Sequence, residues 1–370
     1  MRAVLVKDGQ GPIENLYFGQ VDKPVPKEGQ VVVRIIAFGV NRLDLMQREG
    51  NHNPPPGAST VLGVEFSGRV EQLGPGVTKW AIGDQVFGLA GGCSSTSAIY
   101  HQGAYAEYIE SSQDLLIRKP THLSWIEAAS IPENFITAFQ AVLKYGELKE
   151  NDDVLIHAGA SGVGVAAIQI ARTFGARTVT ATASSKAKLD WLLSIPNGAT
   201  HVANYKTEDF SQVVKKATNG KGVDIVVDFV GPTHWERNIN SLAMDGRMIM
   251  LAIMSGREVP SVDLGPILYR RLKIQGSTLR SRSEEYQSEL INRYVYFPVE
   301  PHRKGSVIAS SAVFQDMISK ITGGEKDGQI RTYIHKVYPW TEIQEAHREM
   351  AENKNSLYSG KIICVVDWNS

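Results

Sequence analysis

The first third of the chain alternates short apolar runs with glycine and proline. Runs of this kind lie at 3–6, 31–38, 64–74 and 104–111. Short strands separated by turn residues are typical of a compact, mostly β domain. The polar segment 93–103 interrupts the pattern, and its length indicates a loop that is mobile or functional.

After about residue 130, apolar runs alternate with stretches that are long enough for helices. Strands linked by helices produce this rhythm, so the pattern predicts a doubly wound parallel sheet. The predicted strands lie at 154–158, 178–183, 201–205, 224–230, 247–252 and 273–278.

Two helices can be placed from their spacing and end signals. Apolar residues recur at helical spacing over 162–175, where Gly175 is expected to end the helix. The segment 340–353 also carries an apolar face, and Thr341 is the candidate N-cap there.

Composition narrows the classes of function. The 370 residues are 42% hydrophobic, which allows a sizeable core and favours two domains. Lys plus Arg number 39, as do Asp plus Glu, so the basic excess of a nucleic-acid-binding protein is absent and no nucleic-acid partner is expected.

Two distant cysteines, Cys93 and Cys364, do not indicate a disulfide framework. With no signal-peptide pattern and no apolar run of about 18 residues, we expect a cytoplasmic protein without a membrane span.

The segment VLIHAGASGVG, residues 154–164, leads from an apolar run into a helical pattern. A strand, a tight turn and a helix together place free backbone N–H groups at a helix N-terminus, where they favour a pyrophosphate. On the pattern G-x-G-x-x-G the segment supplies Gly159, Ser161 and Gly164, with an additional Gly162. The alternative is an ordinary tight turn, but the context on both sides favours nucleotide binding.

The following strand indicates which nucleotide is bound. NAD enzymes place an Asp or Glu about 20 residues beyond the glycines to bind the ribose hydroxyls. Here that place holds Ser184 and Ser185, followed by Lys186 and Lys188. Hydroxyls and ammonium groups favour a 2′-phosphate, so NADPH is predicted. The alternative is that these lysines only form the solvated first turn of a helix.

Several motifs together carry a resemblance to a known family. Through them the chain resembles the zinc-free quinone oxidoreductase branch of the medium-chain dehydrogenase/reductase superfamily over essentially its whole length. The motifs are NRLDLMQREG (41–50), PPPGAS (54–59), LGVEFSG (62–68), IPENFITAFQ (131–140), VLIHAGASGVG (154–164), NYKTEDF (204–210), EIQEAH (342–347) and NKN (353–355).

The resemblance implies an α/β fold with two domains. A GroES-like, mostly β catalytic domain would comprise 1–130 and 301–370, and a Rossmann doubly wound parallel-sheet domain that binds NADPH would comprise 131–300. It also implies a homodimer joined through the last Rossmann strand, within 273–278.

The resemblance further implies which residues contact the cofactor. The pyrophosphate would be bound by Ser161, Gly162 and Val163. The 2′-phosphate would be bound by Lys188 and Tyr205, with Ser184 beside them. Thr137 would lie near the nicotinamide ribose, Asn41 would face the cleft, and Asn355 would be a C-terminal contact with the cofactor.

A zinc site is not expected. Zinc-dependent relatives need Cys or His ligands near positions 41 and 64, where this chain has Asn41 and Val64, and Cys93 has no partner in sequence. Tetrahedral ligation by N and S cannot be assembled from these residues at those places.

His52 stands where close relatives of the family have a tyrosine. A histidine here can donate a proton or contact the cofactor, or it can be a solvated loop residue. The segment 93–103 is also longer than in those relatives, so a different pocket mouth is expected.

These features predict an NADPH-dependent quinone oxidoreductase that transfers hydride in the cleft between the domains without zinc. Because a quinone accepts hydride unaided, no obligatory general acid is expected. The alternatives are an NADPH-dependent reductase of enal or enone double bonds, with His52 as a candidate proton donor, and a non-catalytic NADPH-binding protein.

Overall fold

A computed structural model describes residues 1–52, 59–90, 103–292, 321–323, 330–352 and 360–368. Two large sheets organise these residues, and two small two-stranded sheets accompany them. The prediction of a mostly β domain in the first third of the chain is confirmed, because the early strands form a mainly antiparallel sheet. The strands of this part are β1 (Arg2–Val6), β2 (Leu16–Gln20), β3 (Gln30–Val40), β4 (Glu65–Leu73), β5 (Gln85–Leu89), β6 (Tyr108–Ser112) and β7 (Leu116–Arg118).

The second sheet has six parallel strands with the order of a Rossmann fold. Its strands are β8 (Asp153–Ile156), β9 (Thr178–Ala183), β10 (His201–Asn204), β11 (Val223–Asp228), β12 (Leu242–Met250) and β13 (Lys273–Gly276). The spatial order is β10-β9-β8-β11-β12-β13, so the winding direction reverses between β8 and β11. Ligands of such sheets bind beyond the carboxyl ends of the strands at this reversal.

Four further strands lie toward the C-terminus: β14 (Ile321–Gly323), β15 (Ile330–Thr332), β16 (Ile334–Pro339) and β17 (Lys361–Val365). β17 pairs with β3, and β16 pairs with β17, so the C-terminal strands complete the sheet that the N-terminal strands begin. Seven strands form that sheet, in the order β16-β17-β3-β4-β5-β7, with β6 paired to β3. The chain therefore returns to its first domain after crossing the second.

Helices connect and cover the sheets. The first five are α1 (Arg42–Arg48), α2 (Trp125–Ala129), α3 (Pro132–Phe139), α4 (Gly162–Thr173) and α5 (Lys186–Ser194). The others are α6 (Phe210–Ala217), α7 (Trp235–Ser241), α8 (Gly265–Tyr269), α9 (Glu284–Asn292) and α10 (Ile343–Glu352). No helix among the described ranges is long and apolar enough to cross a bilayer.

The sequence-derived elements differ from the structure in a few places. Gly175 follows α4 with φ of +94°, as predicted for a residue that ends a helix. Thr341 is not an N-cap, because Trp340–Glu342 form a 3-10 turn from which α10 continues at Ile343. The apolar run 104–111 is only partly a strand, since its first residues make a single bridge to β1.

The central Rossmann strands are apolar because both of their faces are covered. All four residues of β8 are buried, and so is every residue of β9. Strands in this position show continuous apolar runs instead of alternation. One large core, which includes α3, α4 and β8, continues across both domains to Phe87 and Ile117 of the first sheet. Residues of the two sheets therefore belong to one packed apolar core.

Candidate functional site

The glycine-rich segment forms a tight turn between β8 and α4. A Cβ on Gly164 would lie 2.3 Å from the carbonyl oxygen of Ala158, so only glycine allows this approach of helix to turn. Ser161 is the N-cap of α4, and its Oγ accepts a hydrogen bond of 3.0 Å from the N–H of Gly164. The cap occupies a lone pair of the Ser161 oxygen and leaves its hydroxyl proton for an anion.

The N-terminus of α4 has the features of an anion site. Gly162 and Val163 are half-buried in the first turn, where N–H groups have no acceptor within the helix. These donors and the helix dipole attract negative charge. Gly159 is buried behind the turn, where a Cβ would lie 2.9 Å from the Cβ of Ala181 on β9. The predicted phosphate-binding turn is therefore formed with the geometry that its sequence suggested.

Two predicted residues meet at the neighbouring strand ends. Ala183 of β9 lies opposite Asn204 of β10, so the next residues, Ser184 and Tyr205, leave the same edge of the sheet. Both are half-buried. The ring of Tyr205 lies 5.6 Å from that of His234, measured between centroids. This edge is therefore lined by a hydroxyl on one side and by aromatic rings on the other.

The lysines near this edge have different environments. Lys186 is exposed and pairs with Asp190 at 2.6 Å, as expected of a solvated first turn. Lys188 is only 8% exposed, and its burial, followed by the charge of Lys206, lowers the pKa of Lys188. Sequence reasoning did not single out Lys206, although it directly follows Tyr205 in a motif that was noted. The structure thus places two ammonium groups near each other beside Ser184.

His157, at the end of β8, is a satisfied core residue. Its ring nitrogens lie 3.0 Å from the Oγ1 of Thr182 and 2.6 Å from the Oδ1 of Asn238. Burial lowers the pKa of His157 to about 3, so the ring is neutral. Both ring nitrogens of His157 are therefore occupied by contacts within the fold.

A buried ion pair joins the two strands that flank β3. Lys361 of β17 lies 2.5 Å from the Oε1 of Glu65 of β4, and their side chains are 5% and 0% exposed. Gly39 of β3 lies beneath the pair, where a Cβ would lie 2.2 Å from the Glu65 oxygen and 2.8 Å from the Lys361 Cε. The missing side chain at position 39 makes the room in which the two charges meet.

The same pair is hydrogen bonded to the first helix of the cleft and to the second domain. Asn41, the N-cap of α1, donates its amide to Glu65 at 3.0 Å and accepts a hydrogen bond from Lys361. The backbone N–H of Glu133, in the first turn of α3, donates to the other Glu65 oxygen at 2.9 Å. Lys361 also reaches the Oδ1 of Asn134 at 3.5 Å. Asn41 is thus fixed by contacts with β4 and β17, and the same pair contacts the start of α3.

The side chain of Asn134 also touches the phosphate-binding turn. A Cβ on Gly162 would lie 2.5 Å from its Nδ2. Gly162 is therefore needed for the close packing of α3 against the start of α4. Asn134 therefore contacts both Lys361 of the buried pair and Gly162 of the predicted pyrophosphate site.

Asp44 is a buried carboxylate that is surrounded by donors. Its side chain accepts hydrogen bonds from the N–H of Asn41 at 2.8 Å, the N–H of Gly63 at 3.2 Å and the hydroxyl of Tyr105 at 3.1 Å. Burial raises the pKa of Asp44 to about 6 in spite of these bonds. The donors hold this carboxylate in place, which is a structural role for α1.

Thr137 and His52, both expected near the cofactor, lie on separate elements. Thr137 follows Glu133 by one turn of α3, and its Oγ1 is buried without a hydrogen-bond partner among the described residues. His52 is half-buried after α1. Its burial, followed by the charge of Arg280, lowers the pKa of His52. His52 therefore lies near Arg280 and is not simply a solvated loop residue.

Arg280 extends from the second domain to α1. It follows β13 and donates from Nη1 to the Oε1 of Gln47 at 2.6 Å. Its charge also acts on Asp44 and Glu133. Sequence reasoning missed Arg280, Glu65, Glu133 and Lys361, because their partners are 24 to 320 residues away along the chain.

The described residues contain no group of three or more His, Cys, Asp or Glu side chains that could hold a metal ion. At the two positions where zinc ligands were considered, Asn41 is bonded within the Glu65 network and Val64 is a buried apolar residue. Cys93 lies outside the described residues, as do Asn355 and segment 93–102.

Comparisons with known proteins agree with this architecture. The alcohol dehydrogenase GroES-like domain family matches residues 27–121, and the zinc-binding dehydrogenase family matches residues 162–294. A quinone oxidoreductase of Sus scrofa is 28% identical over 366 residues, which cover 99% of this chain and 98% of that protein. The synaptic vesicle membrane protein VAT-1 homolog of Homo sapiens is 30% identical over 345 residues, which cover 92% of this chain and 80% of that protein.

The chain belongs to the medium-chain dehydrogenase/reductase superfamily, quinone oxidoreductase type.

Solved structures of this superfamily superpose over the whole molecule. An NAD-dependent alcohol dehydrogenase is 31% identical with a TM-score of 0.79, and covers 99% of this chain and 100% of its own. The JamJ enoyl reductase is 27% identical with a TM-score of 0.78, and a mycobacterial protein complexed with NADPH is 27% identical with a TM-score of 0.76. Both cover 99% of this chain and 100% of their own.

In this medium-chain dehydrogenase/reductase the predicted residues form two groups. One group lies at the edge of the Rossmann sheet and contains Gly159, Ser161, Gly162, Val163, Gly164, Ser184, Lys188 and Tyr205. The other contains Asn41, His52 and Thr137, which are predicted to line the cleft. The cofactor roles of both groups remain predictions.

The Glu65–Lys361 pair should dominate the stability of the cleft wall. Replacing Lys361 by Met leaves the Glu65 charge buried and unpaired, so Lys361→Met should lower the free energy of unfolding by about 3–5 kcal/mol in urea titrations. The double variant Glu65→Leu, Lys361→Met should recover part of this loss, because no charge is left unpaired, although the donors of Asn41 and Glu133 lose their acceptor.

Lys79→Met is the matched control, since Lys79 pairs with Asp114 where both side chains are about half exposed. Its effect should stay below about 1 kcal/mol. A loss for Lys361→Met no larger than this control would contradict the importance of the buried pair.

Proposed function

We propose that this protein is a zinc-independent NADPH:quinone oxidoreductase that transfers hydride in the cleft between its two domains. The observation that carries the cofactor assignment is the pair of ammonium groups, Lys188 and Lys206, beside Ser184 at the end of β9. A carboxylate at this place would favour the ribose hydroxyls of NAD and would repel a 2′-phosphate. The arrangement present here attracts that phosphate.

The residues of the chain fit the rest of the cofactor. The first turn of α4 offers the backbone N–H groups of Gly162 and Val163 to the pyrophosphate. The buried Oγ1 of Thr137, which has no partner among the described residues, can bind a hydroxyl or amide of the nicotinamide half. When bound, the nicotinamide supplies the hydride.

The residues of the cleft support a reaction without zinc. A zinc ion would need thiolate or imidazole ligands at positions 41 and 64. This chain has the amide of Asn41 and the apolar side chain of Val64 there. Asn41 is also held by Glu65 and Lys361, so its side chain is fixed in orientation. A substrate that accepts hydride without a Lewis acid suits this wall, and a quinone is such a substrate because its ring becomes aromatic. The protein contributes position and exclusion of water.

The reduction of enal or enone double bonds is the second candidate. The similarity to the JamJ enoyl reductase favours it, as does the presence of ionisable side chains in the cleft. One structural neighbour is an NAD-dependent alcohol dehydrogenase and another is complexed with NADPH, so the cofactor preference of this chain depends on its own residues.

Turnover assays should decide among these functions. We expect the rate of NADPH oxidation to be higher with ortho- or para-quinones than with enals and enones. With a quinone as acceptor, we expect a higher rate with NADPH than with NADH. Metal analysis of the active protein should find no stoichiometric zinc. Faster turnover of enals would favour the second candidate. Tight NADPH binding without turnover of any acceptor would indicate a non-catalytic binding protein.

The role of Lys206 can be tested against a neighbouring lysine. If Lys206 contacts the 2′-phosphate, Lys206→Ala should raise the KM for NADPH about tenfold, because one charge-assisted hydrogen bond is lost, and should change the KM for NADH little. Lys186→Ala is the control, since Lys186 already pairs with Asp190. Equal effects of Lys206→Ala on both cofactors would refute the assignment.

We also propose that the protein forms a homodimer through the β13 edge of its Rossmann sheet. β13 is the last strand of this sheet. Apolar side chains just before it are exposed, with Leu264 66%, Leu268 70% and Tyr269 77% exposed. A sheet edge beside an apolar patch is suited to a second copy of the chain.

Light scattering after size exclusion should therefore give the mass of two chains. Leu268→Glu should shift the protein toward the mass of one chain, because a charge would be buried at the contact. Val25→Glu, at a side chain that is 76% exposed in the other domain, should leave the mass unchanged. A single-chain mass for the unmodified protein would refute the dimer.

A further inference from the structure

The phosphate-binding turn contains a strained residue that is not one of its glycines. Among residues 157–164, all of which the structure describes, only Ala158 has a positive φ, at +47°. Glycine adopts this left-handed conformation freely, whereas a Cβ makes it unfavourable for other residues. Strain of this kind persists only where the surrounding structure imposes it. The contacts on either side of Ala158 should therefore show what imposes it.

The left-handed conformation places the carbonyl group of Ala158 beneath the start of α4. Its oxygen accepts a hydrogen bond of 2.8 Å from the N–H of Ser161. The same oxygen is the atom that a Cβ on Gly164 would approach to 2.3 Å. The N–H of the N-cap is thus used inside the turn, and the donors left for an anion are those of Gly162 and Val163. A relaxed Ala158 would turn its carbonyl away and move these donors.

A buried histidine holds the N-terminal side of Ala158. The N–H of His157 donates to the carbonyl oxygen of Val227 on β11 at 3.1 Å. The His157 ring lies 3.0 Å from Oγ1 of Thr182 on β9 and 2.6 Å from Oδ1 of Asn238 on α7, and all three residues are at most 1% exposed. Because the Asn238 oxygen can only accept, Nε2 carries the ring proton, and Nδ1 accepts from the Thr182 hydroxyl.

The same threonine holds the other side of Ala158. The N–H of Gly159 donates to the carbonyl oxygen of Thr182 at 2.9 Å. Thr182 therefore bonds both neighbours of Ala158, one through its backbone and one through its hydroxyl. The ring of Phe210 packs against that of His157, with 4.8 Å between centroids, and keeps the imidazole in place. With both neighbours fixed, Ala158 has little freedom to relax.

We propose that His157 and Thr182 are positioning residues that hold Ala158 in its left-handed conformation and thereby keep the phosphate-binding turn in the form that binds a dinucleotide. This role rests on the proposed function, which assigns the cofactor pyrophosphate to the turn. When the His157–Thr182 hydrogen bond is lost, the turn relaxes in part of the molecules, and the apparent affinity falls with the fraction that can bind. The penalty for a left-handed residue with a Cβ corresponds to about a tenfold change in that fraction.

Binding of NADPH and of NADH to the full chain, measured by calorimetric titration, tests this role. Thr182→Val keeps the shape of the side chain and removes the hydroxyl that holds His157. It should raise the Kd about fivefold for both nucleotides, because they share the pyrophosphate.

Thr218→Val is the matched control. The buried Thr218 hydroxyl also makes two hydrogen bonds in the Rossmann domain, but it lies at the end of α6, before β11 begins. Both variants should lower the thermal midpoint by about 2–4 °C, because each loses buried hydrogen bonding. Only Thr182→Val should change the Kd.

A second substitution tests whether the effect passes through Ala158. Because glycine is left-handed without strain, Ala158→Gly removes the need for the His157–Thr182 hydrogen bond. Alone, it should keep the Kd within about twofold of the unmodified protein. Combined with Thr182→Val, it should keep the Kd within about twofold of that of Ala158→Gly. Ala160→Gly, in the same turn but where φ is not positive, should give no such rescue.

The possible failures are distinct. If the unmodified protein binds neither nucleotide, the proposed function and this role are both wrong. If it binds and Thr182→Val changes the Kd no more than Thr218→Val does, only the positioning role is refuted. A loss of affinity that Ala158→Gly does not rescue would also refute it, since Thr182 would then act by another route. A loss for NADPH with NADH unchanged would contradict it as well, because that result would indicate the 2′-phosphate site at Ser184.

Discussion

The buried pair of Glu65 and Lys361 is the interaction on which the cleft depends. It can form only because Gly39 has no side chain between the two strands that carry it. An ion pair removed from water is stable only when its remaining hydrogen-bonding capacity is satisfied. Asn41 and the first turn of α3 meet that requirement, so the pair orients the residues that line the cleft.

Two clusters of charged side chains differ in their surroundings. Around Glu65 the charges are paired and hydrogen bonded, which fixes their positions. Beyond the ends of β9 and β10, burial and then the charge of Lys206 lower the pKa of Lys188. An anion bound beside these two lysines, as the proposed function requires, would favour their charged forms.

Local patterns in the chain were sufficient for most of the elements. Alternating apolar runs and helical stretches predicted the parallel sheet, and 178–183 is a strand over its whole predicted length. The run 104–111 was only partly a strand, because its start is bound by a single bridge to β1. Thr341 was misplaced, because a 3-10 turn precedes the helix there. End residues depend on such local details of hydrogen bonding, which a hydrophobic pattern does not contain.

The sequence by itself determined the glycine turn, the missing acid after β9 and the absence of zinc ligands at positions 41 and 64, since each depends on residues close together in the chain. Only the tertiary structure decided which distant residues meet. Lys361 and Asn41 are 320 positions apart, and Arg280 and Gln47 are 233 apart. Their contacts arise from strand order and sheet packing, which act between distant segments.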